Sequence, residues 1–171
     1  MSILLVLVFA LLVLVFFGSF FEAPWVPTKK RDFDRIANLA KLRDGMLFCD
    51  LGSGTGKMLF YLSGKYKVNC VGIEVSPILY LYSKVKSLFY KNVKIVYGNF
   101  YKYDLSKADI VYAFLLPKAF NKVKEKIKKE LKEDSKIITS SWPLENYSPV
   151  EVSKIDGGMT YYLYNKKSIL I

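Results

Sequence analysis

The stretch that decides the fold is Asp50-Leu-Gly-Ser-Gly-Thr-Gly56. It follows the apolar run Met46 to Cys49, which together with Asp50 reads as a β-strand, and it precedes Lys57 to Lys65, which reads as a helix. Gly52, Gly54 and Gly56 permit a tight turn and let the backbone approach a ligand at places where a Cβ would collide. Ser53 and Thr55 fill the positions between them. The spacing is G-x-G-x-G with an acid two residues ahead, whereas a dinucleotide-phosphate fingerprint reads G-x-G-x-x-G. A strand, a glycine-rich turn and a helix in this order open a βαβ unit.

Working outward, the same alternation continues. Val68 to Ile73 is a second strand, and Ser76-Pro77 starts a helix to about Tyr90. Val93 to Tyr97, Ile110 to Leu116 and Lys136 to Ser140 read as further strands, with a highly charged helix over about Lys118 to Lys132. Upstream, Thr28 is a candidate N-cap for a helix through about Leu42 that Gly45 ends. Strands alternating with helices predict an α/β fold with a mostly parallel twisted sheet. The tail breaks the pattern: Val150 to Ile155, Gly157-Gly158 and Thr160 to Tyr164 predict a C-terminal β-hairpin on the sheet edge.

From Ile3 to Phe17 every residue is apolar, and no charge appears before Glu22. Such a run is close to the length that crosses a bilayer, so residues 1–21 are expected to form one transmembrane helix, with a single domain over 22–171. A cleaved signal peptide is the rival, but no basic residue precedes the run and Gly-Ser-Phe-Phe-Glu-Ala is a poor cleavage sequence. Lys29, Lys30 and Arg31 follow it, which predicts a single-pass membrane protein with its body in the cytoplasm. The net charge of +11 lies wholly on that body and favours anionic surroundings without choosing among phospholipid, nucleic acid and an acidic protein face. The chain has no histidine, which removes His-based triads and most metalloenzyme mechanisms, and no metal is expected. Cys49 and Cys70 lie within strand-like runs and read as buried free thiols.

Three further places carry candidate chemistry. Glu74 ends the second strand, where a carboxylate can accept hydrogen bonds from both hydroxyls of a ribose. Asn99 and Phe100 follow the third strand; the amide oxygen can accept from an adenine amino group and the ring can lie against the base, although a turn Asn beside a core Phe explains them equally well. Leu116 and Pro117 end the fourth strand at the edge where open α/β sheets bind ligands, unless the proline merely starts the next helix.

The acid-then-glycine turn resembles motif I of class I methyltransferases, and the chain as a whole resembles the small membrane-tethered protein-lysine methyltransferases that act on the ATP synthase c-subunit and the adenine nucleotide translocase. The resemblance rests on Pro24-Trp-Val-Pro-Thr28, Asp50 to Gly56, Val71-Gly-Ile-Glu74, Leu115-Leu-Pro117 and Ser141-Trp-Pro-Leu-Glu-Asn-Tyr-Ser-Pro149. It implies a Rossmann-like class I fold and S-adenosyl-L-methionine as cofactor, held by Asp50, Gly52 to Gly56, Glu74, Asn99 and Phe100. It also implies a substrate channel lined by Val26, Pro27, Thr28, Leu116 and Pro117. The implied substrate is a membrane-associated protein with an accessible lysine. Two departures from the family pattern, Asn99 and Thr55, stand where relatives often carry acids. Methylation of a lipid or isoprenoid, methylation of RNA, and an inactive cofactor-binding membrane scaffold are the alternatives. No aromatic-basic RNA-recognition module is visible, which disfavours nucleic acid. No residue is marked as a general base; Tyr112, Asp109 and Asn99 are the candidates.

Overall fold

A computed structural model describes residues 3–18 and 27–170. After helix α1 (Ile3–Gly18) and helix α2 (Lys30–Ala40), the chain alternates β1 (Leu47–Leu51), α3 (Lys57–Tyr66), β2 (Asn69–Glu74), α4 (Pro77–Ser87), β3 (Val93–Tyr97), β4 (Ile110–Ala113), α5 (Pro117–Glu130) and β5 (Lys136–Ser140). It closes with β6 (Glu151–Ser153), β7 (Tyr161–Asn165) and α6 (Lys166–Leu170). The seven strands form one sheet in the order β3-β2-β1-β4-β5-β7-β6. The first five are parallel, while β7 runs antiparallel to both β5 and β6. The alternating pattern and the edge hairpin are therefore as expected, and the strand order reverses between β1 and β4. That switch point opens a crevice beyond the carboxyl ends of the strands.

Both faces of the sheet are covered, which is why its central strands are apolar at almost every position. Phe48, Cys70, Ile110 and Tyr112 point to one side, against Ile36 and Leu39 of α2 and Leu59 and Leu62 of α3. The alternate residues Leu51, Val71, Val111 and Ala113 point to the other, against Phe120, Val123 and Ile127 of α5 and Ile169 of α6. Cys49 and Cys70 are buried free thiols, and burial pushes the Cys49 thiol up to about 12.

Several expected boundaries move. Helix α2 is capped by Lys29 without a side-chain hydrogen bond, because the Thr28 hydroxyl is engaged with Tyr112 instead. The helix stops at Ala40, where Lys41 takes a left-handed conformation (φ 54°) and its amide turns back to the Ala37 and Asn38 carbonyls, so Gly45 lies beyond the helix end. Strand β4 ends at Ala113.

The described residues do not support the expected transmembrane helix. Helix α1 is apolar throughout its described part, which has 16 residues, with Ile3 to Phe9 and Leu12 all exposed. Among the described residues no helix is long and apolar enough to cross a membrane. Ser19 to Phe21, which the expected span included, lie outside the described residues, as does Val26.

Candidate active site

The glycine turn joins the carboxyl end of β1 to α3 and folds back over β2. The amides of Gly52 and Ser53 both donate to the Ile73 carbonyl, at 2.9 and 3.1 Å, and the Gly56 amide donates to the Ser53 carbonyl at 2.9 Å. Gly52 and Gly56 have φ of 89° and 70°, in the left-handed region that glycine occupies without strain. Gly72 of β2, directly paired with Asp50, is needed for a different reason: a Cβ there would lie 2.5 Å from Ser53 Oγ and 2.6 Å from Leu59 Cδ1.

Two carboxylates meet beside this turn. Glu74 is buried, and its Oε2 accepts from the Gly54 amide at 2.7 Å while Oε1 accepts from the Ser76 amide at 2.7 Å. The glycine turn and the start of α4 thus fix the carboxylate's orientation, and each oxygen retains a lone pair for a ligand hydroxyl. Asp50 is also buried; burial pushes its carboxyl up to about 8, and the neighbouring Glu74 charge adds to the effect. Two acids forced together away from water create a site that gains from a bound cation. Ser53 Oγ, buried in the same turn, has no hydrogen-bond partner among the described residues. S-adenosylmethionine fits this donor and acceptor set, since it brings a ribose diol, an ammonium and a sulfonium. Asp50, the Gly52 to Gly56 turn and Glu74 are the residues that could hold it.

The third strand brings Asn99 and Phe100 to the same edge, where the Gly98 amide donates to the Glu74 carbonyl at 2.9 Å. Asn99 is exposed and caps a short 3-10 turn, its Oδ1 accepting from the Tyr101 amide at 2.9 Å. Phe100 is half-buried with its ring 4.4 Å from that of Tyr101.

The far side of the crevice is assembled from distant segments. Thr28 Oγ1 lies 3.2 Å from the Tyr112 hydroxyl, which seats Pro27 and Thr28 over the end of β4. Tyr112 is buried, its phenol pushed up by burial, and its ring lies 6.5 Å from that of Tyr161. Close by, Asp32 pairs with Arg35 at 2.7 Å, and Asp32 Oδ2, Arg35 Nε and the Tyr161 hydroxyl are buried with no hydrogen-bond partner among the described residues. Sequence reasoning missed Asp32 and Tyr161. Their only signal was an acid on an apolar helix face and one tyrosine among several in the tail.

Leu116 is the N-cap of α5 and Pro117 its first residue, so the proline does begin a helix; it also borders a cavity of about 150 Å³ lined by Phe120, Asn121, Lys124, Trp142, Pro143 and Glu145. Trp142 is tied down through its carbonyl, which accepts from Thr139 Oγ1 at 2.8 Å, and its ring lies 6.2 Å from that of Phe114. Asp109, named as a candidate base, lies at the opposite end of β4. Burial would raise its carboxyl, but the Leu47 amide and Lys132 together hold it below its usual value. That location removes it from the chemistry.

Comparison with known proteins agrees with this geometry. A family model described as the ANTKMT methyltransferase domain matches residues 50–151. A protein-lysine N-methyltransferase of Saccharolobus islandicus is 32% identical over 84% of this chain and 93% of its own length. The human lysine N-methyltransferase of the ATP synthase c-subunit is 25% identical over 76% of this chain, which spans 56% of that longer protein. Among solved structures, an RNA methyltransferase from Salinibacter ruber in complex with S-adenosyl-L-homocysteine superposes with a TM-score of 0.78 at 24% identity, over 82% of this chain and 93% of that one, which speaks to the fold. The chain belongs to the ANTKMT methyltransferase-domain family and is an S-adenosylmethionine-dependent methyltransferase.

Proposed function

We propose that this enzyme methylates the side-chain amine of a lysine in a protein held at a membrane. The observation that carries the reading is its 32% identity to a protein-lysine N-methyltransferase along nearly the whole of that relative. The site's construction supports it. The cofactor supplies an already activated methyl group, so the protein's work is to position the amine and keep it neutral. Moving a lysine from a pKa of about 10.4 to about 7 corresponds to roughly 4–5 kcal/mol. A partly dry crevice edge disfavours the ammonium form. Leu116 and Pro117 would line such a channel on one side and Pro27 and Thr28 on the other, while Asn99 and Phe100 would take the adenine.

The membrane part of the proposal draws on α1, whose exposed side chains from Ile3 to Phe9 are all apolar. An apolar helix of this kind suits an anchor seated in lipid. Lys29, Lys30 and Arg31 would then face the anionic cytoplasmic leaflet.

Isolated membranes incubated with the enzyme and methyl-labelled S-adenosylmethionine provide the test. Label that trypsin releases and that acid hydrolysis returns as methyllysine is the expected result. Label extracted into organic solvent would overturn it in favour of a lipid substrate, and nuclease-sensitive label in favour of RNA.

A further inference from the structure

The carboxyl-terminal half of helix α4 turns apolar side chains outward. Its buried residues are Ser83 and Ser87, whose hydroxyls are satisfied within the helix by the carbonyls of Leu79, Tyr80 and Lys84. Ser83 also brings the helix close to the glycine turn, since a Cβ on Gly56 would meet Ser83 Cβ at 3.5 Å. Ile78, Leu79 and Tyr80 in its first turns are half-buried, but the later large apolar residues lie outside: Leu81 is 63% exposed, Tyr82 52%, Val85 54%, Leu88 77% and Phe89 83%. Leu81, Val85 and Leu88 stand at i, i+4 and i+7 and so share one face, which Tyr82 flanks and Phe89 extends beyond the helix end. A surface helix ordinarily turns such a stripe inward.

The charge around the stripe identifies its partner. From Val75 to Tyr103 the chain contains no acidic residue, and it carries Lys84, Lys86, Lys91, Lys94 and Lys102. Lys91, Lys94 and Lys102 are exposed, while Lys86 lies with its ammonium 5.1 Å from the Phe60 ring centre. A second copy of this chain would set lysines against lysines. An apolar stripe in a segment that carries lysines and no acid matches the interface of an anionic bilayer, where the stripe enters the acyl boundary and the ammonium groups meet phosphate.

We infer that the outer face of α4, from Leu81 to Phe89 with its flanking lysines, docks on an anionic lipid surface as a contact separate from α1. The inference rests on the membrane location proposed above and adds an orientation to it. With α1 alone the body could swing. A second contact along β3, the edge strand that α4 packs on, fixes which side of the sheet faces lipid.

The test uses the full chain with a nitroxide on Leu88→Cys, and a control on Lys129→Cys, an exposed position of α5 on the opposite face of the sheet; Cys49 and Cys70 are buried and stay unlabelled. On vesicles containing phosphatidylglycerol, the ratio of oxygen to aqueous nickel-chelate collisions is expected to rise at least threefold at position 88 and to stay unchanged at 129. Adding Lys91→Glu and Lys94→Glu should abolish that rise. Vesicle flotation with both labels equally open to the chelate would overturn the α4 contact while leaving the membrane location intact. The same rise on purely zwitterionic vesicles would overturn the role of charge. Spin–spin broadening at position 88 without lipid would assign the face to a second copy. A chain that does not float would remove both the contact and the location. None of these readouts depends on methyl transfer, so a failed substrate search leaves them untouched.

Discussion

The two walls of the crevice are built on opposite plans. The cofactor wall is contiguous: Asp50, the glycine turn and Glu74 belong to one βαβ unit, and Gly54 and Glu74 are joined directly at 2.7 Å. The acceptor wall gathers Thr28, Tyr112, Trp142 and Tyr161 from four separate parts of the chain, and its hydrogen bond from Thr28 to Tyr112 joins residues 84 apart at 3.2 Å. A site made within one supersecondary unit tolerates change elsewhere because its geometry is set by local turns. A site made across the fold depends on the sheet order that brings its pieces together.

If the walls are separable in this way, the largest effect belongs to Glu74→Ala. The substitution removes a charged acceptor from the amides of Gly54 and Ser76 and, on the proposed reading, the partner of the ribose hydroxyls. Hydrogen bonds to charged groups are worth about 1.5–3 kcal/mol each. S-adenosylmethionine affinity measured calorimetrically should fall about a hundredfold or more, with the circular dichroism spectrum retained. An unchanged affinity would break the assignment of the cofactor wall.

Next comes Gly72→Ala, which tests how tightly that wall is packed. The new Cβ would meet Ser53 Oγ at 2.5 Å and Leu59 Cδ1 at 2.6 Å, and neither atom is the end of a long flexible chain. Overpacking of this kind costs about 1–3 kcal/mol. Urea unfolding should show a lower midpoint at an unchanged slope, and cofactor affinity should fall with it because the glycine turn is displaced.

Asp50 yields a pH signature. Its carboxyl in the folded protein is pushed up to about 8, from an ordinary value of 3.8. The folded state therefore binds a proton more tightly than the unfolded state between these values. The resulting stability is fully present below about pH 4 and is lost as pH rises through 8. Asp50→Asn should melt a few degrees above the natural sequence at pH 8 in the absence of cofactor, with the gap closing towards pH 5. It should also bind S-adenosylmethionine more weakly, since the amide offers no charge to the cofactor's cations. Equal melting temperatures at pH 8 would mean that Asp50 is not held as a buried acid.

These contrasts explain what could be read without a structure. Asp50 to Gly56 and Glu74 stand out because local chemistry fixes them: a turn needs glycine at a positive φ, and a strand end needs a carboxylate at a set distance along the chain. The alternation of strands and helices and the edge hairpin were legible for the same reason. Asp32 and Tyr161 were not, because pairing β7 with β5 is what brings Tyr161 towards α2, and no local pattern encodes that pairing. Thr28 was visible as a polar residue before a helix, but its hydroxyl went to Tyr112 rather than to the helix amides. Helix α4 was legible as a helix but not in its orientation, since Leu81, Val85 and Leu88 are exposed while Ser83 and Ser87 are buried.

The smallest expected effect is the sharpest test of the acceptor wall. Tyr112→Phe removes one hydroxyl and the hydrogen bond to Thr28 while keeping the ring that packs 6.3 Å from Phe48. A neutral hydrogen bond contributes about 1 kcal/mol, so kcat should fall about fivefold through looser seating of Pro27 and Thr28. The affinity for S-adenosylmethionine should not change. Burial holds the Tyr112 phenol above its usual value, so it stays protonated across the physiological range and is unsuited to act as a base. The pH dependence of kcat should therefore be the same in the variant and the natural sequence. A loss of about a hundredfold or more, with an altered pH profile, is what removal of a general base produces, and it would turn Tyr112 from a positioning residue into a catalytic one.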